Sequence, residues 1–242
     1  MENKEYKEFK PPQSLGEVDY AMGVKLIGIT NIEDIKTRNR KMIQLMMGID
    51  RATAESLEDK FLSEFYDAAY IMLSNYSTEL KDVIEINGTK YKLKDLSTQN
   101  VEEYIDIDTV FKRIKNLVEI GANLVSLMYD IPLELVKEHI DAGYLSVFYC
   151  YIVKDKMVLN SEFPNLFGEP GDEPQEKRAR GFGEAEFTTS ELYGWYDTLF
   201  TICDEDIIQI DRWYKKPIRE FLVYVSWKIR KTDEQNNKGG HR

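Results

Sequence analysis

The sequence predicts a mainly α fold: a helical N-terminal domain with one β-hairpin, a linker, and a small helical C-terminal unit. Three observations predict it. Apolar residues recur at three- and four-residue steps along most of the chain, the period drops to two only around Asn87-Gly88, and prolines and glycines crowd into residues 164–187. The expected organisation is a helical domain over 1–163 with its hairpin at 83–93, a flexible charged linker at 164–187, a three-helix unit at 188–231 and a disordered tail at 232–242.

The first dozen residues, with Pro11-Pro12, carry no pattern and are expected to be unstructured, as is usual for a terminus. Asn31, a good N-cap type, precedes Ile32, Ile35, Met42, Leu45, Met46 and Ile49, which predicts one or two short helices. From Thr53, the series Leu57, Phe61, Phe65, Ala68 and Met72 lies on one face of an amphipathic helix. In VIEINGTKYKL (83–93), Asn87-Gly88 suits a type I′ turn, because both residues tolerate positive φ. That turn sets Glu85 opposite Lys90 and Ile84 opposite Tyr91, an ion pair and an apolar pair that agree with the register.

Asn100 and Glu103 have the spacing of a capping box, and the apolar residues after them keep helical steps up to Pro132, which reads as one helix or as two, with Gly121 as the candidate break. Leu133 to Val153 adds a helical stretch and then YLSVFYCYIV, an all-round apolar run too short to span a bilayer and destined for a core. After the linker, Thr188 and Glu191 repeat the capping spacing, with Leu192, Trp195 or Tyr196, Leu199 and Cys203 forming one face. Ile207, Ile208 and Ile210 predict a second short helix. Pro217, tolerated in a first turn, opens a third through Ile218, Phe221, Leu222, Val225 and Ile229.

Composition narrows the function. No apolar run reaches the length of a membrane span, and the charged N-terminus lacks the apolar core of a signal peptide. Cys150 and Cys203 are too few for a disulfide framework, and with only His139 and His241 beside them no Cys/His zinc cluster is expected. The net charge of −11 opposes a phosphate backbone, so nucleic acid is an unlikely partner unless basic residues are segregated.

Catalytic signatures are not apparent. His139 sits among charged residues on a predicted helix, which suits a surface histidine better than a general base. Gly181-Phe182-Gly183 lacks a third glycine and a preceding strand, so it fails as a dinucleotide fingerprint. Asp204, Glu205 and Asp206 point about 100° apart if helical and suit a helix N-terminus better than a cation. Tyr104, Asp106 and Asp108 lack the glycine and final glutamate of a calcium loop. The expectation is therefore no enzyme, no cofactor and no metal.

What stands out is the C-terminal stretch. It holds all three tryptophans, Trp195, Trp213 and Trp227, with Tyr193, Tyr196, Tyr214 and Tyr224, and between 212 and 231 it is strongly basic within an acidic protein. About forty residues are too few to bury so many rings, so part of them is expected either to pack on the first domain or to face a protein partner. The expected contact residues are Trp195, Tyr196, Trp213, Tyr214, Phe221 and Tyr224, with Lys215, Lys216 and Arg219 as steering charges.

The order of these pieces, LIGITNIEDI, the INGTKYKL hairpin, LSTQNVEEYIDIDTVF and then GWYDTLFTICDEDIIQIDRWYKKPIREFLVYVSWKIRK, resembles the tail assembly chaperones of tailed bacteriophages. The resemblance spans most of residues 24–231. It implies a non-catalytic chaperone acting in the host cytoplasm, which coats a long hydrophobic helical client, the tape measure protein, until tail tube subunits replace it. It also implies that the C-terminal half engages that client, and that the segment after Pro164 falls where a frameshift join occurs in the family. A virion structural component, such as a ring, connector or baseplate protein, is the alternative, and self-association is left open.

Overall fold

The computed structural model describes residues 14–57, 79–95, 98–167 and 189–239. The described chain is mainly helical, with a single two-stranded antiparallel hairpin. The expected helix face from Leu57 to Met72 lies mostly outside the described residues, as do residues 168–187 of the expected linker and the Thr188 cap.

The chain divides into two compact units, and the division is not the linear one expected at residue 163. One unit comprises Met1–Leu93 with Ile114–Tyr151; the other comprises Lys94–Arg113 with Ile152–Arg242. Sequence periodicity reports which face of a helix is apolar but not which partner covers it, so a helix from the first half can complete the core of the second.

In the first unit the chain enters the Tyr20–Thr30 helix, which the sequence reading leaves unassigned. Asp19 caps it by accepting a hydrogen bond from the Met22 amide at 2.7 Å. Asn31 lies at the end of this helix instead of opening the next. Asp34 takes that role for Ile35–Met47, accepting from the Thr37 amide at 2.8 Å, and Asp50 caps Arg51–Glu55. Each cap supplies an acceptor to an amide with no partner inside its helix.

The hairpin pairs as expected, Ile84 with Tyr91 and Glu85 with Lys90, with Asn87 and Gly88 both at positive φ. Ile84 and Ile86 are buried, while the Glu85–Lys90 pair, at 4.0 Å, faces solvent.

Gly121 does not break a helix. It lies inside Leu117–Tyr129, which Asn116 caps, and a Cβ there would collide with the backbone carbonyl of Leu145. The residue is small because two helix backbones meet at it. Gly23 plays the same part against the Ala142 side chain. Around this contact the expected apolar run becomes the helix Ala142–Ser161, whose Tyr144, Leu145 and Phe148 are buried in the first unit. The hydroxyls of Tyr129 and Tyr144 lie 2.7 Å apart, and that of Tyr129 also donates to the Lys81 carbonyl, so these buried polar tips are partnered.

The second unit begins at the capping box. The Asn100 amide donates to Glu103 at 3.1 Å and the Glu103 amide to the Asn100 side chain at 2.9 Å, opening the Val101–Arg113 helix. Its core joins Val101, Tyr104 and Ile105 to Leu159, Phe163, Leu199, Cys203, Ile210, Ile218, Phe221, Leu222 and Val225. Pro164–Phe167, expected to belong to the linker, is a short helix whose Leu166 and Phe167 pack on this core. The C-terminal helices Thr189–Ile202, Ile207–Tyr214 and Ile218–Gly239 complete the unit. The last runs well into the expected tail, because no glycine or proline interrupts 232–238 and Arg230 sits one turn before Glu234, 3.9 Å away.

A candidate protein-binding surface

The geometry of the second unit starts where two helices begin side by side. The Val101 amide donates to the Lys216 carbonyl and the Ile218 amide to the Gln99 carbonyl, which fixes the start of the final helix against the capping box. From there Phe221, Leu222 and Val225 turn into the core. One helix earlier, Asp206 accepts from the amides of Ile208 and Gln209 and sets Ile207–Tyr214 in place. Asp204 and Glu205 form the preceding turn at positive φ, so the acidic trio serves a helix junction.

These elements bring the predicted aromatics into one chain of touching rings. Tyr104 meets Trp195 edge-on at 5.6 Å, Trp195 meets Phe221 at 6.3 Å and Phe221 meets Trp213 at 5.5 Å. Trp213 then lies 5.2 Å from Tyr224, and Tyr224 5.9 Å from Trp227. Burial falls only past Phe221: Tyr104 and Phe221 are enclosed with half-buried Trp195 between them, Trp213 and Tyr224 are half-buried, and Trp227 is 42 % exposed.

The predicted set therefore separates. Phe221 is a core residue, because its whole ring is enclosed, and it supports the surface instead of contacting a partner. Trp195, Tyr196 and Tyr214 are half-buried against the same core. Burial, followed by the nearby Tyr196, Glu102 and Asp106, raises the Tyr214 phenol above its usual range. Trp213, half-buried on that core as well, leads through the half-buried Tyr224 to Trp227, the exposed end of the row, which the expected set omitted. Trp227 was legible: buried positions on its helix follow 218, 221, 222 and 225, and residue 227 lies about 200° past 225, on the opposite face. Val223 at 59 % and Ile207 and Ile208 at 77 % and 66 % exposure are further apolar groups on these helices.

The charges also differ from expectation. Lys215 pairs with Asp211 at 2.8 Å, Lys216 with Glu220 at 3.0 Å, and Arg219 with Glu162, so each expected steering charge has a carboxylate beside it. Positive charge reaches the rings through others. Lys228 lies over Tyr224 at 5.8 Å and Lys231 over Trp227 at 4.9 Å. An open hollow of about 390 Å³ beside Trp213 is lined by Arg212 and Lys216, with Asp206, Ile208 and Gln209.

A second cluster of charge in this unit is enclosed. Asp108 pairs with both Lys112 and Lys156, and the Lys156 ammonium lies 5.2 Å from the Tyr104 ring centre and 5.3 Å from that of Phe111. Burial alone would raise the Asp108 pKa, but the two lysines hold it below the ordinary carboxylate value. Burial, the dominant influence on Lys156, lowers its pKa against the pull of Asp108. With Asp108 buried, Lys156 mostly covered and the charges mutually satisfied, this is an internal ion pair and not an open site.

His139 is exposed, with its ring nitrogen 3.4 Å from the Asn87 side chain. Among the described residues no group of three or more His, Cys, Asp or Glu side chains could hold a metal ion, and no helix is long and apolar enough to cross a membrane. No family model matches the chain, and neither a curated protein nor a solved structure does.

Proposed function

We propose that this protein is a non-catalytic tail assembly chaperone of a tailed bacteriophage, which holds a long hydrophobic helical partner, the tape measure protein, in the host cytoplasm during virion assembly. One observation carries the proposal: on the second unit, rings and aliphatic side chains that a monomer would ordinarily bury stand at the surface, grading from Phe221 in the core to Trp227 in solvent. An exposed aromatic face of this kind suits a client helix, whose apolar stripe would otherwise aggregate. The resemblance of the sequence around it to tail assembly chaperones supplies the identity of the client.

The test is a pulldown of the full chain from phage-infected cells, with captured proteins identified by mass spectrometry, alongside an assay of purified particles. Capture of a long helical tail protein, with this protein missing from finished particles, is the expected result. A fixed stoichiometry in purified particles would instead make it a ring, connector or baseplate component.

A further inference from the structure

We infer that the Trp213–Tyr224–Trp227 row is a dock for one amphipathic helix whose apolar stripe is flanked by acidic residues. This rests on the protein-binding reading above and specifies the chemistry of the partner.

The steps of the row match a helical turn of about 5.4 Å better than the roughly 6.6 Å between same-face residues of a strand. Ring centres step by 5.2 Å and 5.9 Å, so the row spans no more than about two helical turns, roughly 11 Å. A helix presenting apolar residues at i, i+3 or i+4, and i+7 places one side chain against each ring.

The charges set its flanks. Arg212 lines the hollow at the Trp213 end, together with Asp206 and with Lys216, which Glu220 pairs, and Lys228 and Lys231 stand over Tyr224 and Trp227 at the other. Between residues 207 and 231 there are seven lysines and arginines against two acids, in a chain whose net charge is −11; Lys215, Lys216, Arg219 and Arg230 have a carboxylate beside them, and Arg212, Lys228 and Lys231 lie nearest the row. This is a local reversal of sign around an apolar strip. Carboxylates beside the partner's stripe would meet Arg212 and the two lysines, whereas a basic partner would be repelled by them.

The test uses the full chain and two synthetic helices about five turns long, each with one leucine stripe, flanked by glutamate in the first and by lysine in the second. Fluorescence titration should give at least about a tenfold preference for the glutamate-flanked peptide, weakening as salt rises. Trp227→Ala should lower that affinity about tenfold or more. The double variant Arg212→Glu/Lys231→Glu, confined to exposed side chains, should reverse the preference. Equal binding of the two peptides would overturn the acidic-partner inference while leaving protein binding intact. Binding of neither, or tighter binding of polyuridylate than of either peptide, would overturn the helix dock. If the glutamate-flanked peptide binds as expected while the infected-cell pulldown captures no tail protein, the dock stands and the phage assignment fails.

Discussion

The two units place their aromatic rings differently. In the first, Tyr129, Tyr144 and Phe148 are all but fully enclosed, and the two tyrosine hydroxyls are hydrogen-bonded to each other and to the Lys81 backbone. Burial, then the bond to Tyr144, drives the Tyr129 phenol far above its usual range, as expected of a hydroxyl kept protonated in a core. In the second unit the rings run outward instead, from Tyr104 and Phe221 at the core to Trp227 at the surface. Aromatic content alone therefore does not separate the two units; what distinguishes the second is a row of rings that continues past the point where the core is complete.

Ending the chain at Phe163 breaks the second unit most severely. It removes Leu199, Ile210, Ile218, Phe221, Leu222 and Val225 from a core that Val101, Tyr104 and Ile105 share. The expected outcome is loss of cooperative unfolding for that unit and strong binding of a hydrophobic dye. An unchanged melting profile would mean that residues 94–113 are held without the C-terminal helices.

Gly121→Ala should be the most damaging point substitution in the first unit. Its new methyl would meet backbone at Leu145, and the expected cost is about 3 kcal/mol in denaturant unfolding. A comparable cost is expected for Asp108→Asn in the second unit, about 3 kcal/mol, since it leaves Lys156 enclosed without its counter-charge. The double change Asp108→Leu/Lys156→Met should cost clearly less than that single one.

The Asp108 pair also predicts an acid limb. Its pKa is lower in the folded protein than in the unfolded chain, so its stabilisation is complete above about pH 4 and is lost as pH falls through the folded value. Asp108→Leu/Lys156→Met should flatten that part of the stability curve, as followed by thermal melts across the acid range.

These contrasts also explain what could be read from the chain. The hairpin and the Asn100–Glu103 box were legible because their chemistry is local: the turn residues and the capping pair act within four residues of each other. Tyr20–Thr30 was not, because Gly23, Gly28 and the β-branched Ile27, Ile29 and Thr30 weaken its helix signal; Gly23 is required there only by the approach of Ala142, far along the chain. Gly121 was misread for the same reason. The basic, aromatic character of 195–231 was visible, yet the sequence could not reveal that carboxylates stand beside Lys215, Lys216 and Arg219, or that Lys228 and Lys231 lie over rings.

Two smaller effects sharpen the comparison. Asn100→Ala should destabilise the second unit by about 1 kcal/mol, the usual worth of a lost cap, with a small drop in melting temperature. Trp227→Ala should change stability least, by about 0.5 kcal/mol, because much of its ring already faces solvent. If it destabilised as strongly as a core substitution, the outermost ring would belong to the core.

The most direct measurement is hydrogen exchange on the full chain alone and bound to the protein it captures from infected cells. New protection concentrated in residues 207–231, with the buried tyrosine cluster of the first unit unchanged, is the result this account predicts. Protection confined to the first unit, with 207–231 exchanging as in the free protein, would contradict it.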